Sequence, residues 1–121
     1  MLEVQGLRKA FGAIQAVDGV SFSAPDGAIT GLLGPNGAGK TTTLRMLYTL
    51  MRPDAGSIRI DGVDAQVDPL EARRRMGVLP DAKGLYKRLT ARENIEYFGR
   101  LQGLGEATLR ERCEQLIQAL D

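Results

Sequence analysis

Apolar and polar positions divide the chain into stretches of different period. Leu2, Val4 and Leu7, then Val17, Val20 and Phe22, lie in strand-like stretches broken by turn signals at Phe11-Gly12, Asp18-Gly19 and Pro25-Asp26-Gly27. They predict two or three antiparallel strands. Ala28-Ile29-Thr30-Gly31-Leu32-Leu33 reads as a short buried strand, after which Leu44, Leu47, Tyr48 and Met51 recur at i, i+3, i+4 and i+7, one face of a helix. Arg52 to Ser57 is a turn, and Ile58 to Gly62 a short strand. Pro69 to Arg75 reads as a short helix with proline at its opening position, ending in the solvated run Arg73-Arg74-Arg75. Met76-Gly77-Val78-Leu79 then reads as a buried strand. Thr90 with Glu93 three residues on is a capping box, so a helix starts at Ala91 and shows a partial apolar face of Ile95, Phe98 and Leu101. Gly103 and Gly105 end it. A second helix carries Leu109, Cys113, Leu116, Ile117 and Leu120 on one stripe, which makes Cys113 a core residue.

Composition narrows the class. The 121 residues are 43% hydrophobic, ordinary for a globular protein and enough to build a core. A net charge of +1 without any block of like charges gives no footprint for nucleic acid or an anionic membrane. The single Cys113 excludes an intrachain disulfide framework and fits a reducing compartment. No apolar run approaches membrane-spanning length, and Met1-Leu2-Glu3-Val4 does not open a signal peptide. There is no histidine.

The candidate chemistry lies between the predicted strand and helix. Gly34-Pro35-Asn36-Gly37-Ala38-Gly39-Lys40-Thr41 matches G-x-x-x-x-G-K-[ST]. Its glycines let consecutive backbone N–H groups turn inward as an anion nest. Lys40 can reach the β- and γ-phosphates, and the Thr41 hydroxyl can complete a magnesium shell. Thr42 continues into the helix N-terminus, which favours phosphate through hydrogen bonds and dipole. Strand, glycine-rich loop and helix form the context this motif requires, so the chain is expected to bind a nucleoside triphosphate. Phe11 either packs under its own turn or offers a flat ring to a base.

Leu7-Arg8-Lys9-Ala10-Phe11-Gly12, Ala16-Val17-Asp18-Gly19-Val20-Ser21-Phe22 and the glycine-rich loop together resemble the N-terminal half of an ATP-binding cassette (ABC) ATPase, the motor domain of membrane transporters. The string from Pro53 to Gly62 resembles the family's P-x-x-G-x-I-x-I-x-G segment. The resemblance implies an α/β fold: a P-loop NTPase core with an N-terminal antiparallel β-subdomain over about residues 1–80, and the start of a helical subdomain over about 81–121. It implies ATP with Mg2+ as ligands, Phe11 stacking on adenine, and Val17 lining the base pocket. Gly34, Pro35, Asn36, Gly37, Ala38, Gly39, Lys40, Thr41 and Thr42 would hold the phosphates. The surface around Leu85 and Tyr86 would receive a transmembrane permease subunit, unless both side chains fill the local core. A second ABC ATPase subunit is implied in the intact transporter. So is a cytoplasmic location, peripheral on the inner face of the membrane.

Three features depart from the family pattern. Asp81 stands where the family places a glutamine that touches magnesium and the attacking water, and Gln66 and Gln102 lie too far away to substitute. It is either a magnesium or nucleotide contact or an exposed loop carboxylate. The L-S-G-G-Q signature, the strand ending in Asp-Glu and the switch histidine are absent from this sequence, so it reads as a truncated cassette with little or no hydrolysis of its own. Finally, Asp81-Ala82-Lys83-Gly84 spells D-x-x-G, a GTPase motif, but no N-K-x-D guanine reader accompanies it. The alternatives to a transporter ATPase are a translation or DNA-repair cassette and, further off, a P-loop GTPase.

Overall fold

The computed structural model describes residues 1–79 and 84–120. They fall into two compact units, Met1–Val78 and Leu79–Asp121.

The first unit is built on a four-stranded antiparallel sheet in the order β2-β1-β3-β4: β1 Leu2–Phe11, β2 Ile14–Ala24, β3 Ala55–Ile60 and β4 Val63–Asp64. β1 and β2 form a long hairpin closed by the pair Phe11 and Ile14, with Gly12 and Ala13 at its tip. A side chain changes face with every residue of a strand, so Val4 and Leu7 should point opposite ways. Both are nevertheless buried. The register explains this: β1 has an extra residue between Val4 and Leu7, and β2 has one between Asp18 and Val20. Each bulge resets the alternation, so Val4, Leu7, Val17, Val20 and Phe22 all reach one core. β3 crosses β1 beside the first bulge. There Gly56 takes φ 90°, and a Cβ on it would lie 2.5 Å from the carbonyl oxygens of Gln5 and Gly6. Only glycine fits that crossing.

Helix α1, Lys40–Leu47, packs on this core through Thr43, Met46 and Leu47. Of the apolar face expected from Leu44, Leu47, Tyr48 and Met51, the last three pack on the core and Leu44 is exposed, its place taken by Thr43. The cause lies one turn earlier. Gly39, the N-cap, sits against the Ala16 carbonyl of β2, and Thr43 N donates to Gly39 O at 2.8 Å, so the residue stacked over that contact faces inward. Helix α2, Pro69–Arg74, is capped by Asp68, whose carboxylate accepts from Glu71 N at 3.0 Å. The three-arginine run does more than face solvent. Arg73 donates through Nη2 to the Thr49 carbonyl at 2.9 Å, supplying a cation to the C-terminal end of α1, and Arg75 pairs with Glu71.

Two expected strands are not formed. Residues 28–33 carry no ladder hydrogen bonds, and Ile29 and Leu33 are exposed. In residues 76–79, Val78 and Leu79 are exposed and Met76 alone is half-buried. A strand needs a partner to accept its backbone groups and cover its side chains. Among the described residues neither segment has one, so neither joins a sheet.

The second unit contains α3, Ala91–Leu101, and α4, Glu106–Leu120. The expected capping box is present: Glu93 N donates to Thr90 Oγ1 at 3.2 Å, and Thr90 N donates to Glu93 Oε2 at 2.7 Å. The helices meet where Gly99 leaves room for Leu109, and Leu109 and Cys113 are buried as expected. The rest of the stripe fades outward, Ile117 half-buried and Leu116 and Leu120 exposed. Asn94 is the internal knot of this unit. It is 7% exposed; Nδ2 donates to the carbonyls of Tyr86, Leu89 and Thr90 at 3.1, 3.2 and 3.0 Å, and Oδ1 accepts from Tyr86 N at 2.9 Å. One side chain thus holds the 86–90 turn onto the first turn of α3.

Two stability predictions follow from these contacts. Asn94→Ala strands the turn's partly buried carbonyls and amide and is expected to cost about 1–3 kcal/mol, read as a lower denaturant midpoint. An unchanged midpoint would mean that water satisfies the turn. Gly39→Ala places a methyl group against the Ala16 carbonyl at φ 87°. The torsion alone is expected to cost roughly 1–3 kcal/mol, seen as a lower melting temperature, and a variant as stable as the parent would remove the close contact from the account.

Candidate functional site

The glycine-rich loop hangs between the unpaired 28–33 segment and α1. Ala38 N donates to Pro35 O at 3.1 Å, closing a turn over Pro35 to Ala38. Gly37 takes φ 82°, and a Cβ there would enter open space. The loop residues Gly34 to Ala38 and Thr41 are exposed, while Gly39, Lys40 and Thr42 are half-buried. Lys40 folds back across the loop, its ammonium donating to the carbonyls of Gly34 and, at 2.7 Å, Pro35.

A helix leaves its first N–H groups without intrahelical acceptors, and the cap here is a glycine with no side chain to accept from them. The start of α1 therefore presents the uncapped amides of Lys40, Thr41 and Thr42, next to a lysine ammonium. That combination concentrates positive potential on one exposed surface and is chemically suited to a polyanion.

The loop rests on the hairpin. Besides the Ala16 carbonyl, Gly39 faces the Cγ2 of Val17, which a Cβ would meet at 3.2 Å. Val17 itself is 3% exposed and belongs to the core. Sequence-predicted Val17 and the Gly34–Thr42 loop are thus brought together. Phe11 lies at the tip of the same hairpin, 47% exposed, so its ring does not fill the core beneath its turn. Lys9 Nζ sits 5.7 Å from the centre of that ring and 2.9 Å from Asp54 Oδ1. Asp54 Oδ2 in turn accepts from Ala10 N at 2.8 Å. The Lys9 ammonium and then the Ala10 amide hold the Asp54 carboxyl below the usual carboxylate range. Sequence reasoning did not single out Lys9 or Asp54. The available signal was the i, i+2 spacing of Lys9 and Phe11, which places both on one face of a strand.

Asp81 lies outside the described residues. Among the described residues no group of three or more Asp, Glu, Cys or His side chains is arranged to hold a metal. The donor available at the loop is the Thr41 hydroxyl, which suits Mg2+ arriving already bound to phosphate oxygens and keeping its waters, the way that ion is usually held. No helix of the described residues is long and apolar enough to cross a membrane.

In the second unit, Leu85 and Tyr86 do not fill the local core: they are 64% and 51% exposed. The Tyr86 ring packs edge-on to Tyr97, centroids 5.0 Å apart, and stacks on Phe98 at 6.2 Å. Tyr97 and Phe98 are themselves partly exposed, so an aromatic patch forms where only its first two residues were expected.

Comparison with known proteins agrees with this layout. A family model described as ABC transporter matches residues 17–121. The daunorubicin/doxorubicin resistance ATP-binding protein DrrA of Streptomyces peucetius is 46% identical over 96% of this chain and 35% of its own length. The Nod factor export ATP-binding protein I of Ralstonia nicotianae is 48% identical over 98% of this chain and 37% of its own. Among solved structures, an ATP-binding subunit of an ABC transporter superposes with a TM-score of 0.76 at 35% identity, covering 88% of this chain and 44% of that one. The dimeric structure of a bacterial ABC transporter cassette gives 0.80 at 26% identity, covering 99% and 56%. The chain spans little more than a third of the length of these curated relatives. The GTPase alternative falls with these matches. With its glycine-rich loop seated on an antiparallel hairpin, and with relatives of this kind along nearly its whole length, the chain belongs to the ABC transporter family of ATP-binding proteins.

Proposed function

We propose that this chain binds ATP with Mg2+ and that, in its transporter, ATP hydrolysis on this scaffold powers export across a membrane. The observation that carries the reading is the uncapped start of α1, with Lys40 folded over a glycine-rich loop that is fixed to β2 through Gly39. The amides of Lys40, Thr41 and Thr42 and the loop N–H groups would take the β- and γ-phosphates, and Lys40 would exchange its two carbonyl partners for phosphate oxygens. This exchange replaces neutral acceptors by charged ones, the stronger hydrogen bonds. Thr41 would contribute one oxygen to Mg2+, which neutralises charge on the phosphates when bound. Phe11 would stack on adenine, with Val17 backing the pocket from the core. Asp81, at the family's glutamine position, would be an additional magnesium contact.

The remaining roles follow from the family. The first unit would be the nucleotide-binding core with its β-subdomain, and the second the start of the helical subdomain. The exposed patch of Leu85 and Tyr86 would receive the permease subunit, and a second ATPase subunit would complete the motor, as in the dimeric cassette. Such an assembly sits at the cytoplasmic face of the membrane. Two of the relatives are named for drug resistance and for Nod factor export, which favours the outward direction. Hydrolysis by this chain alone is expected to be weak, because its sequence holds no strand ending in Asp-Glu to supply the family's water-polarising carboxylate, and a positioned base contributes orders of magnitude.

The test is equilibrium binding of Mg-ATP, with Lys40→Ala and GTP as controls. Removing a charged hydrogen-bond donor to phosphate is expected to weaken binding about ten- to a hundred-fold, and ATP is expected to bind more tightly than GTP. Equal affinity in Lys40→Ala would sink the phosphate role of the loop, and tighter GTP would sink the adenine site.

A further inference from the structure

The end of β1 holds a cluster that the phosphate chemistry does not use. Lys9, Ala10 and Phe11 are the last three residues of the strand, and Asp54, in the turn before β3, contacts the backbone or side chain of three consecutive residues there. Its amide donates to Arg8 O at 2.9 Å, its Oδ1 accepts from Lys9 Nζ at 2.9 Å, and its Oδ2 accepts from Ala10 N at 2.8 Å. The Lys9 side chain is only 17% exposed, so its ammonium is confined between this carboxylate and the Phe11 ring.

We propose that Lys9, clamped by Asp54, is a positioning residue for nucleotide-base recognition: it occupies one face of the Phe11 ring and fixes the ring so that the opposite face is presented to the base. The inference rests on the adenine-stacking reading of Phe11.

The physical case has three parts. A ring 47% exposed at a hairpin tip has little packing to hold its rotamer, and ordering it on binding would cost affinity. A cation over the ring face supplies that order beforehand, through attraction to the ring's negative face. Lys9 can do this only if it is itself held, because a free lysine has four rotatable bonds and prefers water. Asp54 holds it, and Asp54 is anchored to the strand backbone independently of Lys9. The carboxylate stays ionised well into acid because its pKa is lowered first by Lys9 and then by the Ala10 amide, so the clamp persists across the neutral range. Sequence order matters as well: Lys9 and Phe11 share a strand face because they are two residues apart.

The experiment compares two magnesium-bound ligands on the 121-residue chain: ATP, and inorganic tripolyphosphate, which offers the loop the same phosphates without a base. Phe11→Ala establishes the contribution of the ring. Lys9→Met keeps the length and apolar stem but removes the charge, Lys9→Arg restores a cation, and Asp54→Asn keeps an acceptor for the Ala10 amide while releasing Lys9. The expected result is that Lys9→Met weakens ATP about two- to five-fold and leaves tripolyphosphate unchanged, that Asp54→Asn shifts the ratio in the same direction, and that Lys9→Arg recovers most of the loss. If Lys9→Met does not fold, Asp54→Asn and Lys9→Arg carry the comparison. An equal loss for both ligands would make Lys9 merely structural and overturn the proposal. So would an unchanged ratio in the Lys9 and Asp54 variants beside a changed one in Phe11→Ala. An unchanged ratio in Phe11→Ala itself would instead overturn the stacking reading on which the proposal stands.

Discussion

The contact between Gly39 and the Ala16 carbonyl is the constraint on which the site depends. It brings the backbone of the glycine-rich loop against the backbone of β2 at a separation that no side chain permits. Several consequences follow from that one approach. The N-cap must be glycine, so no side chain caps α1, and its first amides stay available for an external anion. The helix is rotated so that Thr43, Met46 and Leu47 face the core, which aims the opposite side outward. Val17 is pinned beneath the loop. A residue with a side chain at position 39 would drive its Cβ into the Ala16 carbonyl and push the helix off the sheet.

Electrostatics around this contact is arranged with little burial. Lys40 satisfies its ammonium on loop carbonyls, which are weak partners for a full charge and easily exchanged for phosphate. Lys9 is treated differently. It faces a carboxylate that is also tied to the backbone, a partner with no reason to let go. Two lysines on neighbouring elements thus have opposite characters, one replaceable and one fixed. The distinction lies in their acceptors, since both side chains are chemically alike.

Much of this was legible in the sequence, for local reasons. The capping box at Thr90 and Glu93, the proline opening α2, the buried Cys113 and the glycine-rich loop are each decided by residues within one or two turns. The failures were non-local. Residues 28–33 and 76–79 have the apolar content of buried strands, but apolar content creates a strand only when a neighbour accepts its hydrogen bonds, and neighbours are not visible in a local pattern. The β-bulges were illegible because alternation counting assumes an unbroken register; Val4 and Leu7 look out of phase until an inserted residue is allowed between them. Asn94 was missed for a related reason. A polar residue in the first turn of a helix reads as solvated, and its burial depends on the 86–90 turn folding back over it.

The hairpin gives the fold its functional sense. Phosphate recognition and base recognition must be held at a fixed separation, because a nucleotide gains affinity from both only if it can reach both without strain. On the proposed reading one hairpin would carry both: β2 supports the glycine-rich loop at Ala16 and Val17, and the tip joining β2 to β1 carries Phe11 only a few residues away. The bulges at Val4/Leu7 and Asp18/Val20 keep that hairpin flush with the core, and the Gly56 crossing lets β3 lie close enough to bring Asp54 to Lys9. A displacement of β3 would therefore reach the Phe11 ring while leaving the glycine-rich loop seated on β2. If Phe11 and the loop are the two halves of nucleotide recognition, they share a scaffold but rest on different supports, and each can be weakened separately.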